Sequence, residues 1–220
     1  MTAAPRFMIA AAHKSSGKTV ISTGVAAAMN ARGSHVAGFK KGPDYIDPMW
    51  LQLATGRPTY NLDFNTMQRD ELQELFMSRS DSADISLVEA NKGLFDGVCP
   101  DDLDSNAELA KELGLPVVLV IDCRGMTRGI APLLLGYQGF DNGVKIAGVI
   151  LNKVGGTRHE RKLRQAVKNY TDLPVLGAVA AAASLDISER HLGLTTPSEA
   201  VQTGKFVDLA AQRIAQQVDI

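Results

Sequence analysis

Short apolar runs alternate with helix-patterned stretches along almost the whole chain, the mark of a parallel sheet with helices on both faces. The first run is Arg6-Phe7-Met8-Ile9-Ala10-Ala11, followed by a helix near 18–31 that Gly33 ends. A second strand covers His35–Phe39, and after an irregular Gly/Pro/Asp stretch come helices near 48–55 and 68–79. Strands recur at Asp84–Glu89, Val117–Asp122, Val144–Leu151 and Val175–Ala180, with helices near 105–113, 129–138, 158–170 and 203–218. Pro116 and Pro174 open strands, where a missing N–H is tolerated. No repeat, low-complexity tract or linker interrupts the alternation. The expectation is one α/β domain over 1–220, a mostly parallel sheet with helices on both faces.

Composition narrows the class. With 220 residues, 45% of them hydrophobic and 21% charged, the chain suits a globular enzyme domain. A net charge of −1 gives no reason to expect nucleic acid or a membrane surface as partner. The two cysteines, Cys99 and Cys123, lack metal-ligand spacing, and the simplest reading is a reduced, cytoplasmic protein. Lys, Arg or Asp interrupts every apolar stretch before it could span a bilayer. The chain enters its first strand almost at once, so no signal peptide is expected.

The most informative segment is Ala12-His13-Lys14-Ser15-Ser16-Gly17-Lys18-Thr19, between the first strand and the helical run that starts near Val20. Consecutive backbone N–H groups in such a loop curl around a phosphate, and the helix behind it presents the positive end of its dipole. Gly17 allows close backbone approach, Lys18 reaches β- and γ-phosphates, and the Thr19 hydroxyl suits Mg²⁺. Ala12 stands where the usual pattern has its first glycine. The loop therefore predicts a P-loop nucleotide site with Mg²⁺, lined by residues 13–20.

Ligands of such sheets collect at the carboxyl ends of the strands. Lys40, Asp44 and Asp47 follow the second strand, Glu89 ends the third with Asp96 beyond it, Asp122 ends the fourth, and Asn152 and Lys153 end the fifth. Carboxylates and lysines converging above a phosphate loop suit phosphoryl transfer, in which Mg²⁺ and ammonium groups offset charge on the moving oxygens. Plainer roles compete. Asp44 and Asp47 suit turns around Gly42-Pro43 and Pro48, and Asp96 suits a turn in Phe-Asp-Gly. Asp122 suits either a metal or water partner or a strand-end cap. Asp101, Asp102 and Asp104 read as a solvated loop and a helix cap. The cysteines read as unreactive and His159, on a charged helix, as surface.

At these residues the chain closely resembles the N-terminal ATP-binding domain of the cobyrinate a,c-diamide synthases, within the dethiobiotin-synthetase-like branch of P-loop proteins. The resemblance rests on Phe39-Lys40-Lys41-Gly42-Pro43-Asp44-Tyr45-Ile46-Asp47, Tyr60-Asn61-Leu62-Asp63 and Gly93-Leu94-Phe95-Asp96-Gly97. It also rests on Ala147–Lys153, Leu173–Gly177 and Glu189-Arg190-His191-Leu192-Gly193-Leu194. It implies ATP-dependent amidation of acetate side chains on a tetrapyrrole through an acyl phosphate, once on each of two acetates. Lys18 and Lys40 would balance charge, with Thr19, Asp44 and Glu89 as Mg²⁺ ligands. Asp47 and Asp96 match positions that handle the substrate carboxylate and ammonia, and Asn152 a position that reads the nucleotide base. A homodimer is implied by the same analogy.

Two features depart from that family. Ala12, His13 and Lys14 replace a Thr-Gly-Ser-Gly-like run, and Lys14 is placed to contact a phosphate in its own subunit or across a dimer. The relatives continue into a glutamine amidotransferase domain, which is absent here, so ammonia is expected from solution or from a partner glutaminase. Trp50, Tyr45 and Tyr60 are aromatics near the implied site that equally suit the core. Siroheme or (nickel-)sirohydrochlorin are the alternative substrates. Dethiobiotin-synthetase-like carboxylation and a non-enzymatic P-loop ATPase switch are the alternative classes.

Overall fold

The computed structural model describes residues 4–99, 101, 103–185, 189–190, 193–198 and 203–220. Its centre is a seven-stranded sheet in the order β3-β2-β4-β1-β5-β6-β7, every neighbouring pair parallel. The strands are β1 (Arg6–Ala11), β2 (Val36–Lys41), β3 (Tyr60–Leu62), β4 (Ile85–Glu89), β5 (Val117–Asp122), β6 (Ile146–Val154) and β7 (Val175–Ala180). The helices are α1 (Lys18–Ala31), α2 (Ile46–Thr55), α3 (Arg69–Ser80), α4 (Asn106–Glu112), α5 (Ile130–Phe140), α6 (Thr157–Tyr170) and α7 (Thr203–Gln217).

Each face of the sheet has its own apolar core, because successive strand side chains point to opposite sides. Ile9, Leu87, Val120 and Ile150 meet Ile21 and Val25 of α1, Leu51 of α2 and Ile214 of α7. Met8, Phe39, Leu119 and Leu151 meet Leu72 and Phe76 of α3, Leu109 of α4, Leu134 of α5 and Leu163 of α6. Strands buried on both faces explain why the sequence shows short continuous apolar runs rather than clean alternation.

The α/β architecture matches the sequence expectation, and several boundaries move. β2 starts one residue later and continues through Lys41, so Lys40 lies inside the strand. β6 starts at Ile146 and runs on to Val154, which places Asn152 and Lys153 in the strand rather than after it. Val144 instead closes a turn, its N–H donating to the Asp141 carbonyl at 3.2 Å. α2 begins at Ile46, so Asp47 occupies its first turn, where Pro48 costs no hydrogen bond. The three-residue edge strand β3 carried no sequence signal. Neither did the antiparallel pair β8 (Glu189–Arg190) and β9 (Gly193–Leu194). Asp102, His191 and Leu192 of the sequence reading lie outside the described residues.

Register sets up the site. Ile9 of β1 pairs with Glu89, Glu89 with Lys40 of β2, and Asp122 of β5 with Asn152 of β6. The carboxyl ends of five strands therefore form one rim, with β1 and its loop at the centre.

Candidate active site

The rim is built around the turn from β1 into α1. Ser15 and Gly17 both adopt left-handed backbone, φ 61° and 87°, which folds the loop back on itself ahead of the helix. Ser16 is buried and its hydroxyl donates to the His13 carbonyl at 2.7 Å. His13 and Lys14 are exposed, with His13 Nδ1 2.6 Å from the Lys14 carbonyl. Val20, in the first turn of α1, is half-buried against the core that holds Ile9 and Ile21. Asn152 Nδ2 donates to the Ser16 carbonyl at 2.8 Å, and Lys153 Nζ donates to the Ser15 carbonyl at 3.1 Å. The end of β6 thus braces the loop from beneath.

Behind the loop, four side chains form one buried cluster. The Thr19 hydroxyl lies 3.0 Å from Glu89 Oε1 and 3.1 Å from Asp47 Oδ1. Lys40 Nζ donates to Asp47 Oδ2 at 2.5 Å, to Glu89 Oε1 at 3.3 Å and to the Ala90 carbonyl at 3.1 Å. Asp44 Oδ2 stands 4.0 Å from the same ammonium. Its other oxygen accepts the Ile46 N–H at 2.9 Å, so Asp44 shapes the turn into α2 and does not touch Thr19. The Lys18 ammonium donates to the Lys92 carbonyl at 2.5 Å.

Burial and mutual charge shift all four ionisable groups. Burial pushes the Glu89 carboxyl up to about 7, against the pull of Lys40. Burial, then repulsion from Lys40, holds Lys18 down at about 8. For Lys40 burial opposes the charge, but Glu89 and Asp47 outweigh it and hold the ammonium above the ordinary lysine range. Burial would likewise raise Asp47, yet Lys40 prevails and keeps its carboxyl below the usual carboxylate range. The result is a fixed Lys40–Asp47 ion pair beside two groups, Lys18 and Glu89, poised near neutrality. Such groups respond to an incoming charge.

A divalent cation fits this arrangement. Glu89 Oε2 is buried and has no hydrogen-bond partner, while Oε1 shares the Thr19 hydroxyl. No group of three His, Cys, Asp or Glu side chains suited to a metal occurs among the described residues. Mg²⁺ commonly takes one or two carboxylates with substrate phosphate and water oxygens rather than a full protein cage.

The sequence that folds this way has relatives among known proteins. Residues 7–194 match the CbiA family, described as the CobQ/CobB/MinD/ParA nucleotide binding domain. The chain belongs to this family. It is 44% identical over 216 residues to a cobyrinate a,c-diamide synthase of Magnetococcus marinus, covering 98% of this chain and 46% of that protein. It is 41% identical over 220 residues to a hydrogenobyrinate a,c-diamide synthase of Thermobifida fusca, again covering 98% of this chain and 46% of the relative. The chain thus spans about half the length of these curated relatives. Among solved structures, chloroplast FtsY from Physcomitrella patens superposes with a TM-score of 0.57 at 17% identity, over 96% of this chain and 66% of that one. That likeness supports the α/β fold alone.

The remaining positions of this CbiA-family chain fall in distinct places. Asp96 is exposed, and its Oδ2 accepts the Gly93 N–H at 3.0 Å within its own turn. Asp122 is gripped by Arg124, with contacts of 2.7–3.1 Å, and lies 3.3 Å from Lys153 Nζ. Trp50 is buried, the Tyr60 ring lies tilted beside Phe39 and under the Arg79 guanidinium, and Tyr45 is 62% exposed. Cys123 is buried, which pushes its thiol up to about 12.

Other residues escaped the sequence reading. Tyr137 of α5 donates its hydroxyl to the Ala12 carbonyl at 2.5 Å. Buried Asn106 donates to the Asn91 and Gly93 carbonyls at 2.8 and 2.7 Å and accepts the Asn91 N–H at 3.0 Å, pinning the turn that carries Lys92. His159 is no free surface residue. It accepts the Gly155 N–H at 3.0 Å and lies 2.5 Å from the Met126 carbonyl. Asp104, read with Asp101 and Asp102 as a solvated loop and a helix cap, is 3% exposed, and Ser105 caps α4 instead.

Proposed function

We propose that this chain activates a carboxylate with ATP and converts it to an amide, acting on acetate side chains of a cobyrinate-like tetrapyrrole. The observation that carries the reading is the buried Thr19–Lys40–Asp47–Glu89 cluster directly behind the phosphate loop, in a chain 44% identical to a cobyrinate a,c-diamide synthase. A plain nucleotide switch has no evident use for the Lys40–Asp47 pair, whereas an anionic co-substrate does.

In this scheme the loop N–H groups and the N-terminus of α1 hold the β- and γ-phosphates. Lys18 exchanges the Lys92 carbonyl for phosphate oxygens and carries full charge there, since an anion reverses the downward shift. Thr19 and Glu89 would hold Mg²⁺, with Asp47 beside them and Asp44 shaping the turn behind. When bound, the metal supplies charge neutralisation at the phosphate oxygens. Lys40 orients the acetate and offsets charge as its oxygen attacks the γ-phosphorus and ADP leaves. Ammonia then displaces phosphate from the acyl phosphate, losing a proton, and Asp47 and Asp96 would orient it. Asn152 retains one amide hydrogen beyond its Ser16 bond for the nucleotide base, and Lys153 and His13 would contact the nucleotide as well.

Ammonia is the nitrogen donor in this scheme. ADP formation with Mg-ATP and ammonium chloride tests the scheme. Cobyrinate should stimulate it and yield products lighter by about one mass unit per amidated acetate (OH replaced by NH₂). Stimulation by siroheme or sirohydrochlorin alone would move the substrate. ATP turnover indifferent to every tetrapyrrole would favour the switch.

A further inference from the structure

Asn61 of β3 stands beside the cluster's lysine. Parallel pairing sets Lys40 opposite Asn61 on one side and opposite Glu89 on the other, so the three side chains leave the sheet in one row on one face. Neighbouring strands lie about 4.8 Å apart, which puts Asn61 within a side chain's reach of whatever Lys40 holds. Its Nδ2 donates to the Asp44 carbonyl at 2.6 Å, in the turn from β2 to α2. A carbonyl can only accept, so this bond fixes which end of the amide is nitrogen. The other end, Oδ1, is buried and has no hydrogen-bond partner.

A buried acceptor without a donor is costly and uncommon, so Oδ1 marks a place where a donor arrives. The nearby carboxylates are engaged. Asp47 and Glu89 Oε1 accept from both Thr19 and Lys40, and Asp44 Oδ1 accepts the Ile46 N–H. Glu89 Oε2 also lacks a partner, but a carboxylate oxygen in this row suits a divalent cation. Asn91 Oδ1 is in the same condition, yet its amide nitrogen lies 3.0 Å from where a Cβ on Gly42 would stand, two residues past Lys40.

The reactants of the amidation differ in what they can give this oxygen. An ionised acetate and a γ-phosphate carry acceptors alone. Ammonia carries N–H donors and the lone pair that must point at the acyl carbon. Nearby carboxylates favour the ammonium ion, which has no lone pair to attack with, whereas a neutral amide oxygen holds the free base without protonating it. Asp47 and Asp96 therefore suit ammonium on its way in, and Asn61 suits the ammonia that reacts. We infer that Asn61 is a catalytic residue whose Oδ1 accepts an N–H of ammonia and aims its lone pair at the acetate carbon held beside Lys40. The nitrogen forms the C–N bond, the C–O bond to the phosphoryl group breaks with its electron pair, and the departing phosphate carries off the surplus proton. The inference rests on the amidation reading and adds a seat for the nucleophile.

Two substitutions separate this role from the bond to Asp44. Asn61→Leu removes both ends of the amide, whereas Asn61→Asp keeps the acceptor oxygen and removes only the donor to Asp44. With Mg-ATP, cobyrinate and ammonium chloride, Asn61→Leu should raise KM for ammonia about tenfold, the loss of one hydrogen bond, and leave KM for ATP within about twofold. It should also form more ADP than amide, because water then intercepts the acyl phosphate. Asn61→Asp should keep KM for total ammonium within about threefold and lower kcat about tenfold, since its charge favours ammonium over ammonia. A KM for ammonia raised equally in both variants would assign the effect to the Asp44 turn and overturn the inference. So would an unchanged KM in Asn61→Leu.

The unsubstituted chain provides a test that does not depend on how the variants fold. Asparagine labelled with heavy nitrogen reports the Asn61 side-chain NH₂ directly, its signal identified by its loss in Asn61→Asp. With cobyrinate and a non-hydrolysable ATP analogue bound, that signal should shift saturably on addition of ammonium chloride and stay still with sodium chloride. A signal indifferent to ammonium, or equally sensitive to both salts, would overturn the ammonia seat even where amidation holds. Absence of any ring-stimulated ATP turnover would instead overturn the amidation reading, and the inference with it.

Discussion

The Asn152 carboxamide occupies the space where a Cβ on Gly17 would lie, and from there it donates to the Ser16 carbonyl at 2.8 Å. The last residues of β6 and the phosphate loop therefore fit together only because position 17 is glycine, which also accepts φ 87° without strain.

Gly17→Ala should destabilise the chain by about 1–3 kcal/mol and remove nucleotide binding. Part of that loss is overlap with Asn152, so Asn152→Ala should cost less in the Gly17→Ala background than alone. Urea unfolding of the four proteins measures the coupling. Strict additivity would show that the two positions do not meet.

Glu89 gives the cluster a pH signature. Its carboxyl stands at about 7 in the folded chain against an ordinary 4.5, so the folded state holds a proton that the unfolded state has released in between. Its contribution to stability is greatest below the lower value, falls as pH rises through that window, and levels off above the folded value. Glu89→Gln should flatten this slope, an effect on the order of 2 kcal/mol across the window. The comparison is denaturant unfolding from pH 4.5 to 8. An unchanged slope in the variant would place the titration elsewhere.

Lys18 is opposed to stability until a phosphate arrives. A lysine lowered from 10.5 to about 8 costs the folded state most below its folded value, and stability recovers as pH rises between the two. At pH 7, Lys18→Met should raise the unfolding free energy of the ligand-free chain by about 1–2 kcal/mol. The same change should reduce ADP formation by about 10²–10³-fold. A variant less stable than the parent and still active would contradict both statements.

Tyr137 should matter although it lies on a helix remote in sequence from the loop. Its hydroxyl holds the Ala12 carbonyl, at the position where the usual pattern has glycine. Tyr137→Phe leaves that carbonyl short of a donor, which costs about 1 kcal/mol. ATP affinity should fall a few-fold with little change in turnover at saturation. An unaltered KM for ATP would mean that the loop holds its shape without this contact.

Much of the fold was legible because parallel strands buried on both faces announce themselves as short apolar runs, and the Ser-Gly-Lys-Thr run located the loop. The rule that ligands gather at strand carboxyl ends picked out Lys40, Asp47 and Glu89, which the structure gathers behind the loop. It could not separate Asp44 from Asp47, because a one-turn difference at the start of α2 decides which carboxylate faces Thr19. It also marked Asn152, but not the contact of its amide with the Ser16 carbonyl, which follows from β6 running three residues beyond its apolar run. Asp104 and Asn106 were misread or missed for one reason. Their partners are backbone groups elsewhere in the 91–99 turn, and a polar residue buried by a loop has no periodicity to reveal it.

The central claim is that a ring carboxylate attacks the γ-phosphorus of ATP, and isotope transfer tests it most directly. Cobyrinate labelled with heavy oxygen in its acetates should be turned over with Mg-ATP and ammonium chloride, and the released phosphate analysed by mass. The account predicts one labelled oxygen in the phosphate for each amide formed. Amide formation with unlabelled phosphate, or phosphate release without amide, would contradict it.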